Sequence, residues 1–571
     1  MRDVIVIGAG GGGAVIAKEL AAQGLDVLVL EAGPAAKPEA DWTHFEIDQS
    51  APGSGMLRFG PTDRTKPPWS RELPQNSFIW QVAGVGGTTQ HYLGNSPRAY
   101  PGVFNGYSDA DRNAYDRRHE FPFSYGELVP YYEWVEETLP VETAAMGKKE
   151  QAFLEAAAAM GGLAVQRSKD TTANSYRPQE NAILQPRGIA GRTSDPRKLA
   201  FPAAFGCTFC GHCVQGCKEP LGSPRNLRAK RSTDNSYMPM ALMADRWTNG
   251  RAVTLVGDAY ATRILAEGRN AHAVSWRVGA TGETQTEEAR VVVLAAGAIE
   301  SPRLWLNSGL PNPNDWVGRG LTDHSFDLVF GVLPRDIESS KGPGSAARAD
   351  FPGRGALEGT VATPAAAAFS AALSDSGVAR DGVGRLVGRN LKAALSDIDR
   401  LLSVFVLTDD DVESQNRVTL SAFPPDEHGP IARVEMRHRA RSARTAANRE
   451  YLAGKALELV TAAGATAAYR MNWPPVLAHI HSTLRSGGRP EDSVLDEYAE
   501  ARAVPRLFVA DNSALPNSVG GANPTLTTQA LATRTAERIV RRYFDGDGWV
   551  ASQQPISSIS PSVTSAVAAI K

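Results

Sequence analysis

Four apolar residues, Val4-Ile5-Val6-Ile7, run straight into Gly8-Ala9-Gly10-Gly11-Gly12-Gly13 and then into a helical pattern from Ala14 to about Gln23. A buried strand, a glycine turn and a helix in immediate succession leave few folds open. Gly8 permits a tight turn off the strand, Gly10 lets the backbone approach a pyrophosphate, and Gly13 lets the helix pack against the sheet. The start of such a helix offers free N–H groups and the positive end of its dipole to phosphates. A second strand, Val27-Leu28-Val29-Leu30, ends in Glu31. An acid about twenty residues beyond the glycines hydrogen-bonds a ribose 2'-hydroxyl and repels a 2'-phosphate. The pattern predicts a dinucleotide-binding unit for a nucleotide not phosphorylated at that ribose.

Beyond Glu31 the alternation of strands and helices stops. Residues from about Pro34 to Trp80 carry prolines, glycines and scattered aromatics without a sustained period and read as a long loop or lid. The missing strands return much later. Val291-Val292-Val293-Leu294 leads into the small-residue turn Ala295-Ala296-Gly297, and Leu507-Phe508-Val509-Ala510-Asp511 forms another strand near the C-terminus. A nucleotide domain assembled from separated segments suggests flavin rather than nicotinamide, with Ala296 and Asp511 at its cofactor edge. Ser124 opens a predicted amphipathic helix that runs to about Glu137. Residues from Pro334 to about Leu395, rich in Ala, Gly, Ser and Asp, read as a mobile or peripheral stretch. No role is assigned to the segment from about Ser552 onward.

At 571 residues, 42% hydrophobic and 21% charged, the chain is long enough for two substantial cores. A formal net charge of -2 with no basic stripe gives no case for nucleic acid. No apolar run approaches the roughly 18 residues that would span a bilayer. The first strand begins almost at Met1, which leaves no room for a signal peptide, so a cytoplasmic protein is expected. Export alongside a signal-bearing partner stays open.

All four cysteines fall in one short segment, Cys207, Cys210, Cys213 and Cys217. The spacing matches a ferredoxin-type ligand run, except that Lys218 stands where proline usually follows. Structural zinc normally uses two cysteine pairs separated by a longer loop. An iron–sulfur cluster, reduced structural thiols and local disulfides are the readings left open. A cluster would pass electrons singly to a redox protein or a quinone. Without one, oxygen or a soluble acceptor is the expected oxidant.

Taken in order, these segments resemble one family, the glucose-methanol-choline (GMC) oxidoreductases, FAD enzymes that act on alcohols and sugars. The resemblance is carried by Gly8 to Gly13 with Glu31-Ala32-Gly33, by Gly86-Gly87-Thr88-Thr89 and by Phe121-Pro122-Phe123-Ser124-Tyr125. It continues through Leu294-Ala295-Ala296-Gly297-Ala298-Ile299-Glu300-Ser301-Pro302, Val317 to His324, and Ala510 to Arg534. It implies an α/β plus α+β architecture: a discontinuous Rossmann-like FAD-binding domain (residues 1–100, 225–330 and 505–545) and a substrate domain on an antiparallel sheet. The substrate domain spans 101–224 and 331–504, with the Cys-rich segment 207–217 inside it and 546–571 as a tail.

The resemblance also places the chemistry. The family's catalytic histidine falls on His479, within His479-Ile480-His481-Ser482-Thr483-Leu484-Arg485-Ser486-Gly487, and its partner falls on Asn523. Ser482 and Ser486 depart from the family pattern, and His481 is the alternative base. A neutral imidazole can take the hydroxyl proton of an alcohol as its carbinol hydride leaves, and an amide can orient the oxygen without competing as a base. Asn523, Pro524 and Thr525 open a helix whose N–H groups are expected at the flavin O2 edge. Gly86, Gly87 and Thr88 are further cofactor contacts. Some related sugar oxidases attach FAD covalently at the position of His91. The substrate implied is a sugar, glycoside, polyol or sterol alcohol. The alternatives are a flavin enzyme of another reaction class and an iron–sulfur-containing electron-transfer dehydrogenase subunit.

Overall fold

The computed structural model describes residues 1–33, 35, 78–106, 117–184, 206–207, 209–214, 217, 229–247, 249–279, 282–373, 378–379, 388–422, 424–437, 441–473, 476–563 and 565. Most of the predicted loop from Pro34 to Trp80 lies outside these residues.

The opening apolar run forms the strand Arg2–Ile7, and the glycines lead into the helix Gly13–Ala22. Val4 and Val6 pack into one core, Ile5 and Ile7 into another on the opposite face. Burial on both faces is why the strand is continuously apolar rather than alternating. Its neighbours in the sheet are Val27–Leu30 on one side and the far half of Gln285–Leu294 on the other, both parallel. Thr254–Val256 extends the parallel sheet beyond Val27–Leu30, and Leu507–Val509 extends it beyond Gln285–Leu294. The near half of Gln285–Leu294 leaves this sheet to form antiparallel pairs with Asn270–Val278, which in turn pairs with Ala259–Glu267. Residues from three distant parts of the chain thus complete one nucleotide-binding sheet, as the separated strand signals predict.

The second sheet has the order Val378–Ala379, Ala467–Arg470, Asp327–Val332, Leu401–Thr408, Gly355–Thr360, Ser345–Phe351, Ser175–Pro178, Ala164–Val165. Its pairs are antiparallel except the last. Alternation decides its two faces. Val329, Val404 and Leu357 pack under the helices Lys148–Ala159 and Ala443–Ala462. Leu328, Phe330 and Phe405 turn the other way, toward the helix Pro364–Leu373.

The reading of Pro334 to Leu395 as mobile or peripheral is corrected. Ser345–Phe351 and Gly355–Thr360 are inner strands of this sheet, and every residue of the former is buried. Small residues are required there: a Cβ on Gly359 would stand 3.0 Å from the Phe153 ring. The charges on these strands enter the interior as pairs, Arg348 with Asp350 and Glu358. The tail also packs. The Trp549 indole is buried and donates to Glu19, and Val563 joins the core of the first sheet. The predicted helix at Ser124 spans Tyr125–Thr138 with Ser124 and Glu127 forming a capping box. Among the described residues, no helix is long and apolar enough to cross a membrane.

Candidate active site

A cavity of about 380 Å³ runs from the glycine turn to the junction of the two sheets, where His479 and Asn523 both line it. Gly8, with φ +104°, makes the turn off the first strand, and a Cβ on Gly13 would stand 2.0 Å from the Gly8 carbonyl. Gly12, which the fingerprint reading passes over, is tighter still: its Cβ would stand 1.6 Å from the Ala510 carbonyl. Gly10 is open by contrast, meeting only the Gly87 Cα at 3.8 Å. The Gly86 N–H donates to the Ala9 carbonyl at 2.9 Å, so the two glycine loops are joined. Gly13 and Gly86 shape this wall without lining it; Gly8, Gly10, Gly87 and Thr88 line it directly.

Glu31 lines the cavity, and its carboxylate accepts the N–H groups of Ala9 (2.8 Å), Gly33 (2.8 Å) and Gly84 (3.0 Å). Burial pushes its pKa up, and these three donors pull against that shift. It therefore clamps the turn while lining the cavity. Asp511 does similar work at the opposite wall. Its carboxylate accepts the Gly297 N–H at 2.9 Å and the Ser301 hydroxyl at 2.6 Å, which holds the Ala296–Gly297 turn against the strand Leu507–Val509. His91 stacks on Trp80 with centroids 5.2 Å apart, and its Nε2 is buried without a protein partner. Burial and the neighbouring Lys230 hold its pKa down to about 3, so the ring is neutral.

At the other end, the ring of His479 stands 5.0 Å from that of His324 and 5.1 Å from that of Phe326, both edge to face. Its Nδ1 is buried without a partner. Burial, then His324, His481 and Arg348, hold its pKa well below the ordinary histidine value. Asn523 Oδ1 accepts from Arg348 Nη1 at 3.0 Å. Pro524 and Thr525 line the same wall at the start of the helix Thr525–Tyr543. His481 is placed differently. It is fully buried, pairs through its backbone N–H with the Thr322 carbonyl, and does not line the cavity. Phe326, Leu328, Phe330, Phe405 and Trp473 form the apolar wall beside His479.

Of the readings left open for the cysteines, reduced structural thiols fit the described residues. Among the described residues, no three His, Cys, Asp or Glu side chains converge as a metal-holding group, and none of the four cysteines is joined in a disulfide. Cys207, Cys213 and Cys217 pack with Ile183, Leu184 and Phe209 as small apolar side chains in a core of their own. Burial pushes their thiols up, that of Cys217 to about 12, which keeps it protonated at neutral pH. Spacing along the chain matched a ligand run, but the fold spends these side chains on packing. Neither an iron–sulfur cluster on Cys207, Cys210, Cys213 and Cys217 nor a local disulfide is supported.

The residues that support His479 and Asn523 were not picked out as functional from sequence. Asp323 and His324 stand within a quoted motif, and Arg348 and Asp350 carry the signal of paired charges at alternate positions on a small-residue strand.

The fold and the glycine-lined cavity, reached by the starts of two long helices, define a flavin-dependent oxidoreductase. The open backbone at Gly10, the helix N-termini and the clamped cavity-lining acid Glu31 fit FAD. Models of the GMC oxidoreductase family match residues 198–326 and 412–532, and an FAD-binding domain model matches residues 3–44. The chain belongs to the GMC oxidoreductase family. It is 27% identical to the 2-methyl-1,2-propanediol dehydrogenase of Mycolicibacterium austroafricanum, covering 95% of this chain and 96% of that one. It is 27% identical to the paromamine 6'-oxidase of Streptomyces fradiae, covering 94% and 91%. The crystal structure of pyridoxine 4-oxidase from Mesorbium loti shares the fold, with a TM-score of 0.62 at 17% identity over 96% of this chain and 100% of that one.

Proposed function

We propose that this enzyme oxidises the CH–OH carbon of an alcohol, with His479 as the base and Asn523 as the donor that orients the substrate oxygen. The observation that carries this is the convergence of a neutral, buried imidazole and an amide on the same cavity that the glycine turn opens into. FAD, when bound, would supply the acceptor for the hydride of the carbinol carbon. His479 removes the hydroxyl proton, and its depressed pKa keeps it in the accepting form. Asn523 offers an N–H to the oxygen and holds the carbon in line. The apolar wall of Phe326, Phe330, Phe405 and Trp473 excludes water and favours an alcohol with an apolar body, a sterol or other hydrophobic alcohol, over a free sugar. The names of relatives support an alcohol: besides the diol dehydrogenase, a long-chain-alcohol oxidase of Arabidopsis thaliana is 27% identical over 58% of this chain.

Gly8, Gly10, Gly13 and Glu31 at one end, Gly86, Gly87, Thr88 and His91 in the middle, and Ala296, Asp511, Pro524 and Thr525 at the other would hold FAD. Acid precipitation distinguishes covalent attachment at His91 from non-covalent binding, because only free flavin is released. The test of the reaction is anaerobic bleaching of the bound flavin by an alcohol panel, followed by analysis for the aldehyde or ketone. A yellow protein that no alcohol bleaches would point to another reaction class. Oxygen uptake against dye reduction then identifies the acceptor.

A further inference from the structure

Arg348 is fully buried, and all five of its N–H donors have an acceptor. Nε donates to Asp350. Nη1 donates to Glu358 at 2.6 Å and to Asn523 Oδ1 at 3.0 Å. Nη2 donates to the Tyr100 hydroxyl at 3.3 Å and to the Gly521 carbonyl at 3.2 Å, two residues before Asn523. Its acidic partners are themselves pinned: Asp350 accepts from Arg177 Nε at 3.1 Å and from the Tyr100 hydroxyl at 2.6 Å, and Glu358 accepts from Asn95 at 2.8 Å. A saturated, charge-balanced guanidinium has no alternative pose.

A guanidinium can only donate. The Asn523 amide must therefore turn its oxygen toward Arg348, and its NH2 group lies on the other side, where one hydrogen is directed to the Glu358 carboxylate and the second is left for a ligand in the cavity that both residues line. In the flipped orientation an NH2 group would face an N–H donor in a buried site, leaving both donors without an acceptor. An asparagine presenting its oxygen to the cavity could not donate to a substrate hydroxyl oxygen, and it would compete with His479 for the hydroxyl proton.

We propose that Arg348 is a positioning residue that sets the polarity of Asn523, fixing its amide as a donor to the substrate oxygen. This rests on the reading of Asn523 as that donor. Arg348 touches the site through this amide, its charge adding only the last-named of the effects that hold His479 neutral, while the carboxylates of Asp350 and Glu358 keep the guanidinium in place.

The experiment is a double-mutant cycle on the holoenzyme, read as the rate constant of anaerobic flavin reduction. The probe is the fastest alcohol from a panel of 1,2-propanediol, 1-dodecanol, benzyl alcohol and cholesterol. Arg348→Met should lower the saturating rate constant roughly 10- to 100-fold with little change in apparent Kd, and Arg348→Lys should recover part of the loss. In the Asn523→Ala background the same substitutions should change the rate less than about threefold. An equal loss in both backgrounds would overturn the proposal, because Arg348 would then act independently of the amide. A full rate in Asn523→Ala, or no bleaching by any panel member, removes the reading of Asn523 and the role of Arg348 with it.

If neither Arg348 variant retains flavin, Asn523→Asp decides. A carboxylate held ionised against Arg348 cannot donate, so reduction should be as slow as in Asn523→Ala from pH 5 to pH 9. Recovery of the rate at acid pH would overturn the proposal.

Discussion

The carboxylate of Asp323 accepts two consecutive backbone N–H groups, those of Ala478 at 2.8 Å and His479 at 3.1 Å. It thereby sets the height at which the imidazole enters the cavity. Asp323 also accepts the N–H of His324, whose ring stacks edge to face with His479. Asp323→Ala should retain flavin yet slow its reduction by an alcohol by roughly 100-fold, the scale on which a displacement of about 1 Å is felt. Asp323→Asn, with one acceptor oxygen instead of two, should fall between. A wild-type rate in the alanine variant would show that the strand holds His479 unaided.

His479→Ala should keep the flavin spectrum and lose about a hundredfold to ten-thousandfold in the rate of reduction. Because burial and the neighbouring histidines hold the His479 pKa well below 6.5, the base stays neutral through mildly acidic solution. The acid limb of kcat/KM should therefore lie well below the ordinary histidine value of 6.5. A limb centred at 6.5 or above would contradict this electrostatic setting.

His481 tests the alternative base and a stability effect together. Its pKa is lowered well below 6.5 by burial and by His324. The unfolded chain then takes up a proton near the ordinary histidine pKa that the folded chain refuses. Stability is complete above about pH 6.5 and is lost as the pH falls toward the folded-state pKa. His481→Asn should flatten the decline of Tm between pH 7 and pH 5 and leave flavin reduction within about threefold, since the ring does not line the cavity. A large loss of rate would transfer the base to His481.

The glycines of the turn should separate by what surrounds them. Gly12→Ala drives a Cβ into the Ala510 carbonyl and should prevent folding of the first sheet. Gly10→Ala meets no atom within 3.4 Å in the protein, so it should fold with a near-normal Tm but bind FAD more weakly. Circular dichroism and flavin titration of the apoproteins measure the two effects apart.

The cysteines should titrate unequally. Cys210 is partly exposed and the other three are buried, so a thiol reagent should modify one cysteine per native chain and four after denaturation. Iron analysis of anaerobically purified protein should find no stoichiometric iron; a cluster-like visible spectrum would restore the iron–sulfur reading of Cys207, Cys210, Cys213 and Cys217.

The local signals at the N-terminus were legible because they are written in contiguous residues. The run Val4 to Ile7, the glycines and the helix from Gly13 require nothing from the rest of the chain, and the same holds for the Ser124 capping box. The strands Val291–Leu294 and Leu507–Val509 were likewise visible as apolar runs, and their return pointed to a divided nucleotide domain. What contiguous reading misjudged was Pro334 to Leu395. Its alanines, glycines and charged residues look like a surface segment until their partners are known, and those partners, Phe153, Tyr100 and Asn523, lie up to hundreds of residues away.

The sequence by itself determined that the chain opens on a strand, a glycine turn and a helix, and it carries a histidine and an asparagine where the resemblance to the GMC family expects them. Only the tertiary structure decided which way the asparagine amide faces, which histidine lines the cavity, and that Cys207, Cys213 and Cys217 pack as apolar side chains. The reason is physical. A backbone turn is governed by residues adjacent in the chain, whereas the protonation state of a buried imidazole and the orientation of a buried amide are governed by whatever charges and donors the fold brings within hydrogen-bonding distance.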